Sequence, residues 1–342
     1  MRQHHNVLYL TTPGAYLCLH DQAVEVRRDG QPPVRVPMHH LQAITCLGQA
    51  TVSPPLMQAC AENGIAIAFC TEQGRFLARV VGPQDGNVHL RRAQYRAADD
   101  PARRLAIARA MVAGKLHNAR TLLRRYAREH PTPASAVLVG TAADDLTRII
   151  EGLYGVDDLE VLRGYEGMGA KRYFATFPLL LRGDPIFSWT GRSHRPPMDA
   201  VNSMLSFLYS ILASECSAAA QAVGLDPQVG FLHVEKPGRP ALSLDLMEEF
   251  RPLLVDRLLM ALVNRRQIQP GHLRQEEAGA WGLTDDGRRL VLTAWHERKR
   301  EELTHPLLEE TTAWGLCPLL QARLLARHLR GDLDMYPPCL PD

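Results

Sequence analysis

The chain has 342 residues, 46% of them hydrophobic, and a formal net charge of +2 at pH 7, enough to bury a substantial core in what is predicted to be two domains. No run of eighteen uninterrupted apolar residues occurs, so no membrane span is expected. Seven cysteines, at 18, 46, 60, 70, 216, 317 and 339, form no CxxC pair and are odd in number, and they read as buried thiols in a reducing compartment.

The amino terminus, MRQHHNVLYLTTPGAYLCLH, lacks the basic start and continuous apolar run of a signal peptide, and a cytoplasmic protein is expected. Residues 1–90 carry six basic and six acidic side chains and are neutral. Within them NVLYL, AYLCLH, AVEV, VRVP, AITCL, IAIAF and RFLARVV are rich in β-branched and aromatic residues and are split by Gly, Pro and Asp turns, so they read as strands. One short helix, LMQACAEN, ends at Gly64 as a left-handed cap, and TEQG makes the hairpin turn before the last strand. This predicts a small β-rich domain over 1–90 with no reactive chemistry. His39 and His40 are adjacent, so on a strand they face opposite ways and read as surface residues.

Residues 91–100 read as a polar linker. From Pro101 the period changes to 3.6: Leu105, Ala108, Val112, Leu116, Leu123 and Tyr126 line one helix face, and Arg120, Arg124 and Arg128 repeat at i, i+4 on another. Residues 91–130 carry eleven basic and three acidic groups, a local charge of +8, which leaves −6 for the rest of the chain. Lys occurs only at 115, 171, 236 and 299, against 35 arginines. Arg is the better bidentate phosphate ligand, so the stripe is either a solvated helix face or a phosphate-binding one. Further helices are expected near 134–152, 156–182, 199–222, 243–266, 286–303 and 315–330, within a helical domain spanning 101–335. The tail 336–342, YPPCLPD, is expected to be extended and flexible.

Residues 233–251, HVEKPGRPALSLDLMEEFR, set three carboxylates, Asp245, Glu248 and Glu249, within five positions, in a stretch that opens on His233 and also carries Glu235. One reading is an acidic first turn stabilised by the helix dipole. The other is a metal site. Ser243 is placed to cap a helix beginning at Leu244, which sets Asp245 and Glu248 at i, i+3 on one face, with Glu249 about 100° further round. The apolar run after Pro252 predicts a kink there rather than a stop. His233 ends a strand-like segment, VGFLHV, which the turn EKPGRP folds back on the helix. A third ligand candidate is Glu166 in LRGYEGMGAKRYF; the alternative for it is a salt bridge to Lys171 or Arg172.

The segments LRGYEGMGAKRYF, GRSHRPPMDAVNSMLSFLYSIL and GFLHVEKPGRPALSLDLMEEFRPLLVD resemble, in order and spacing, the CRISPR-associated Cas-one family, the integrase of spacer acquisition. The resemblance is densest over about 160–265, and an α+β architecture, a small β-rich domain followed by a larger all-helical catalytic domain, is similar to that family along most of the chain. It implies that Glu166, His233 and Glu248 bind one divalent metal, with Asp245 as a further acidic catalytic position. In the loop GRSHRPPMD, His194 and Met198 stand where many relatives carry basic residues, while Arg192, Arg195, Asp199 and Asn202 fit. DNA contacts are expected from Arg192, Arg195 and Arg239 and from the Arg120, Arg124 and Arg128 stripe. Two carboxylates and an imidazole suit Mg²⁺ or Mn²⁺, and a set without thiolates argues against structural zinc. The implied reaction is transesterification, in which the 3′-OH of a short double-stranded DNA fragment attacks a repeat phosphodiester. The implied partners are a second copy of the chain and a small ferredoxin-like companion subunit. The alternatives are a metal-dependent phosphodiesterase that does not integrate, and a non-catalytic DNA-binding scaffold.

Overall fold

In the computed structural model the described residues are 6–82, 88–129, 133–189, 191–193, 196–276 and 279–341. All seven segments read as strands form: β1 (Asn6–Leu10), β2 (Ala15–His20), β3 (Ala23–Arg28), β4 (Gln31–Pro37), β5 (Leu41–Leu47), β7 (Ala66–Cys70) and β8 (Phe76–Val80), joined by a short β6 (Ala50–Val52). One sheet has the order β1-β5-β7-β8, parallel except for β8; the other has the order β4-β3-β2-β6, antiparallel except for the β2–β6 pair. A parallel neighbour needs a crossover, and the one from β5 to β7 runs through β6 and α1 (Pro54–Glu62). Ser53 caps α1, prolines fill its first two positions, and Gly64 ends it at φ +67°. Leu56 and Cys60, one turn apart, pack with Leu17, Val24, Ile44 and Ile67 in the core of this part. His39 and His40 are exposed as expected, on a 3₁₀ turn rather than a strand.

The helical part comprises α2 (Val88–Asp99), α3 (Pro101–Glu129), α4 (Pro133–Gly152), α5 (Leu159–Phe174), α6 (Phe177–Leu180), α7 (Ala200–Ala222), α8 (Ala241–Met247), α9 (Arg257–Asn264), α10 (Asp285–Arg300) and α11 (Cys317–Arg330). A π-helical turn, Arg251–Asp256, joins α8 to α9, so the chain past Pro252 continues with a local widening. The part is not all helical. Two short hairpins, β9 (Leu273–Gln275) with β10 (Trp281–Leu283) and β11 (Glu302–Thr304) with β12 (Thr311–Ala313), are inserted before and after α10. Among the described residues no helix is long and apolar enough to cross a membrane.

Two expectations are corrected. Residues 91–100, read as a linker, belong mostly to α2. Its buried face is Leu90, Gln94 and Ala97, and the Gln94 amide donates to the carbonyls of Asp226 and Val229, both at 2.8 Å. A core face centred on an amide does not register as apolar periodicity. The tail read as flexible is packed: Tyr336 is 2% exposed and Cys339 fully buried. The Cys339 N–H donates to Glu249 Oε2 at 2.6 Å, and Asn118 donates to the Cys339 carbonyl at 2.9 Å. An extended segment keeps its backbone groups unpaired by its own fold, and here side chains of the helical core take them up.

Candidate metal centre

The centre begins where α3 and α5 meet. A Cβ on Gly169 would collide with Leu116 Cδ2, so only glycine lets α5 close on α3 at that level. The approach brings Lys115, next to Leu116, against Glu166, one turn before Gly169. The Lys115 ammonium is ion-paired with Glu166 Oε1 and lies 2.7 Å from Glu248 Oε2. Glu166 does not pair with Lys171 or Arg172 by any described contact; Arg172 is 3.5 Å from Asp145 instead.

His233 is set by Asp245. Residues 231–233 form no strand, contrary to the sequence reading, because their N–H groups turn inward onto one carboxylate. Phe231 and Leu232 donate to Asp245 Oδ2 at 2.6 and 3.0 Å, and His233 N–H donates to Oδ1 at 2.9 Å. The carbonyls of the same segment accept from Arg104, at 2.9 Å to Phe231, and from Arg163, at 2.8 Å to Leu232. Gly230 permits the wrap, since a Cβ there would lie 2.6 Å from Asp245 Oδ2. Asp245 Oδ1 is also 2.7 Å from His233 Nδ1. That partner assigns the proton to Nδ1 and leaves the Nε2 lone pair open, as in carboxylate–histidine–metal triads. Nε2 points towards Glu248 Oε1, 3.8 Å away.

Asp245 and Glu248 share a face, as their spacing predicts, but α8 starts at Ala241 behind Pro240, without a side-chain cap. Ser243 is buried inside it, 2.6 Å from Ser217 Oγ on α7. The first turn of α8 carries no acidic residue and Glu248 is its C-cap, so the helix dipole opposes this carboxylate rather than stabilising it. The charge is held by cations instead: Lys115, and Arg251 at 3.2 Å from Glu248 Oε1. Burial would raise the Glu248 pKa, but Arg251, Lys115 and His233 outweigh it and hold the carboxyl at about 2. Arg251 in turn lies over the Tyr209 ring, 4.7 Å from its centroid. Tyr209 and Tyr173 both donate to the buried Asp256, at 2.5 and 2.9 Å. Burial pushes Asp256 up to about 6 against those hydrogen bonds and the nearby arginines.

Glu249 faces away from the centre, as its angle on the helix predicts. It accepts from Tyr336 OH, from Cys339 N–H and from Gln321 at 3.2 Å. Burial dominates these bonds and raises its pKa to about 7, from an ordinary 4.5. A carboxyl raised in the folded state contributes stability that is present below pH 4.5 and lost as pH rises through about 7. Raising the pH from 5 to 8 is therefore expected to cost wild type roughly 3 kcal/mol relative to Glu249→Gln, which cannot ionise. Denaturant midpoints for both proteins across that range check this; parallel pH profiles would refute it.

Among the described residues no three His, Cys, Asp or Glu side chains close on one point as a finished metal cage. The reason is visible: the Lys115 ammonium stands between Glu166 and Glu248. The donors nevertheless fit a hard divalent cation. Glu248 Oε2 is buried without a well-directed hydrogen bond, and its interaction with Lys115 is ionic. Two carboxylates and an Nε2 lone pair suit Mg²⁺ or Mn²⁺.

The expected DNA-binding residues are dispersed. Arg192 donates to the Ser193 carbonyl and to Asn202 Oδ1, both at 2.7 Å, and lies 5.4 Å from the Tyr209 ring centroid, so it ties its loop to α7. Asp199 caps α7 and also accepts from the Asn202 amide at 2.6 Å. Arg195 and His194 lie outside the described residues. Arg239 closes the KPGRP turn onto the Val234 carbonyl at 3.4 Å. Arg124 reaches across to α4, 3.3 Å from Thr147 Oγ1 and 3.8 Å from Asp144, while Arg128 is exposed. Sequence reasoning missed Lys115, Arg251, Tyr173, Tyr209 and Asp256. One signal was available for Lys115: it is one of four lysines in a chain of 35 arginines, and it sits beside the apolar face of α3.

A β-rich amino-terminal part is followed by a helical part in which Lys115 pairs with two carboxylates, one of them 3.8 Å from the imidazole of His233. The model of the family "CRISPR associated protein Cas1" matches residues 8–297. The chain is 44% identical over 339 residues to the CRISPR-associated endonuclease Cas1 1 of Chlorobaculum tepidum, with 99% of each chain covered. This chain belongs to the Cas1 family. Among solved structures, a Cas1 protein from Thermotoga maritima superposes with a TM-score of 0.82 at 24% identity, over 95% of this chain and 97% of that one. A casposase bound to integration product superposes with a TM-score of 0.84 at 20% identity, over 97% of this chain and 92% of that one. Both share the fold.

Proposed function

We propose that this chain is a metal-dependent DNA endonuclease and integrase of CRISPR spacer acquisition, joining 3′-OH ends of short double-stranded fragments to the repeat array by transesterification. The observation that supports the reading is the Lys115 ammonium held between Glu166 and Glu248, with Nε2 of His233, whose Nδ1 side is held by Asp245, 3.8 Å from Glu248 Oε1. Glu166, Glu248 and His233 Nε2 would hold Mg²⁺ or Mn²⁺, which would supply Lewis acidity to a DNA phosphate. Glu248, at about 2, is ionised throughout the neutral range and gives up no proton on binding a cation. Asp245 keeps the Nδ1 proton in place, so that Nε2 stays a donor of its lone pair. Arg251 neutralises part of the charge on Glu248 and holds its orientation.

A duplex fragment has two 3′-ends, and the described residues of one chain supply one such proposed centre, so two-ended joining requires a second copy. The β-rich part is the proposed interface between copies, and a small ferredoxin-like companion subunit is the proposed bridge between dimers. The test is a strand-transfer assay with Mn²⁺, a short duplex with free 3′-OH ends and a repeat-bearing plasmid. Covalent fragment–plasmid joints are expected. Hydrolysis without joints would return the chain to a phosphodiesterase that does not integrate.

Affinity for DNA should fall steeply with salt. Replacing Arg120, Arg124 and Arg128 together by Ala is expected to shallow the log–log salt slope by about 0.9 for each phosphate that these side chains neutralise in wild type. An unchanged slope assigns the stripe to packing against α4.

A further inference from the structure

Lys115 is the one member of the centre that a metal site does not need. Asp245 spends its charge on three backbone N–H groups and the imidazole. Glu166 and Glu248 remain, and Lys115 with Arg251 balances them. A divalent ion on the same carboxylate oxygens would sit against the ammonium, and two cations at that distance in a buried site repel strongly. They cannot share the space between Glu166 Oε1 and Glu248 Oε2. We propose that Lys115 is a displaceable internal counter-ion: it holds Glu166 and Glu248 together in the metal-free protein and moves aside when a divalent cation binds. This rests on the reading that Glu166, Glu248 and His233 hold the metal.

Two further features support the role. The ammonium has somewhere to go: a cavity of about 20 Å³ lies beside it, lined by Lys115, Tyr173, Tyr209, Arg251 and Asp256. That is room for about one water, and an ammonium group is of similar size. It also has the right chemistry, being a compact point charge on a flexible stem, which a guanidinium is not. A tethered ammonium acts at high effective concentration, so monovalent ions do not compete with it for the carboxylates, whereas a doubly charged ion does. Lys115 thus sets both the geometry of the empty carboxylate pair and the threshold for filling it.

The experiment measures Mn²⁺ binding to full-length wild type and Lys115→Met by calorimetry and by the electron spin resonance of free Mn²⁺, with melting curves in chelated buffer and with Mn²⁺. Lys115→Met is expected to bind Mn²⁺ at least about tenfold more tightly, since a repelling charge is gone. It is also expected to melt below wild type without metal and to gain more from Mn²⁺ than wild type does. Equal or weaker Mn²⁺ binding by the variant overturns the proposal. If Lys115→Met does not fold, Lys115→Gln carries the same expectation. Glu248→Gln separates the two layers: wild-type Mn²⁺ affinity in that variant defeats the metal-site reading itself. Weakened binding there, with unchanged affinity in Lys115→Met, defeats only the counter-ion.

Discussion

Glu248→Gln is expected to lower metal-dependent strand transfer and cleavage by about a thousandfold or more, about 4 kcal/mol of transition-state stabilisation, while DNA affinity stays within about threefold of wild type. The substitution keeps shape and one acceptor oxygen for Arg251, but removes the anionic donor that faces both Lys115 and His233 Nε2. The arginines proposed to meet phosphate are other residues, so binding and turnover are expected to separate. Stability also changes. The carboxyl is held at about 2 in the folded protein, against an ordinary 4.5. A depressed carboxylate contributes stability that is present above pH 4.5 and lost as pH falls towards 2, so the Gln variant forgoes it at neutral pH. Circular dichroism at the assay temperature establishes that the variant is folded before turnover is compared. Wild-type turnover with Mn²⁺ by a folded Glu248→Gln protein would remove this residue from the mechanism.

The second large effect is at Asp245. Asp245→Asn preserves size, yet it is expected to cost about 3 kcal/mol or more in folding stability and about 10- to 100-fold in activity. Each oxygen of this fully buried carboxylate serves two donors: Phe231 and Leu232 N–H on Oδ2, and the N–H and Nδ1 of His233 on Oδ1. An amide nitrogen at either position faces two donors and can accept from neither. Either the N–H groups of Phe231 and Leu232 are then left without an acceptor, or the N–H of His233 is, together with the imidazole Nδ1 whose partner fixes its tautomer. Asp245 is therefore a positioning residue. Its replacement should weaken Mn²⁺ binding through His233 without abolishing it, whereas replacement of a ligand abolishes it. A denaturation midpoint equal to that of wild type would contradict the account.

The features legible in the sequence are those set by neighbours along the chain. The strand segments and the α3 stripe were legible because side-chain period and turn chemistry are local: Ser53 caps and Gly64 ends α1 whatever packs above them. The spacing of Asp245 and Glu248 and the nearness of His233 were legible for the same reason. Their division of labour was not, because only the folded segment shows that one carboxylate is wrapped in N–H groups and the other faces cations. α2 and the carboxy-terminal tail were misread because their burial depends on partners far off: Gln94 is interior only because the Asp226 and Val229 carbonyls meet it, and Cys339 is anchored only by Glu249 and Asn118. Lys115 belongs to this second class. Its place between Glu166 and Glu248 depends on the Leu116–Gly169 packing that closes α3 on α5, and helix-to-helix distance leaves no mark on the periodicity of either helix.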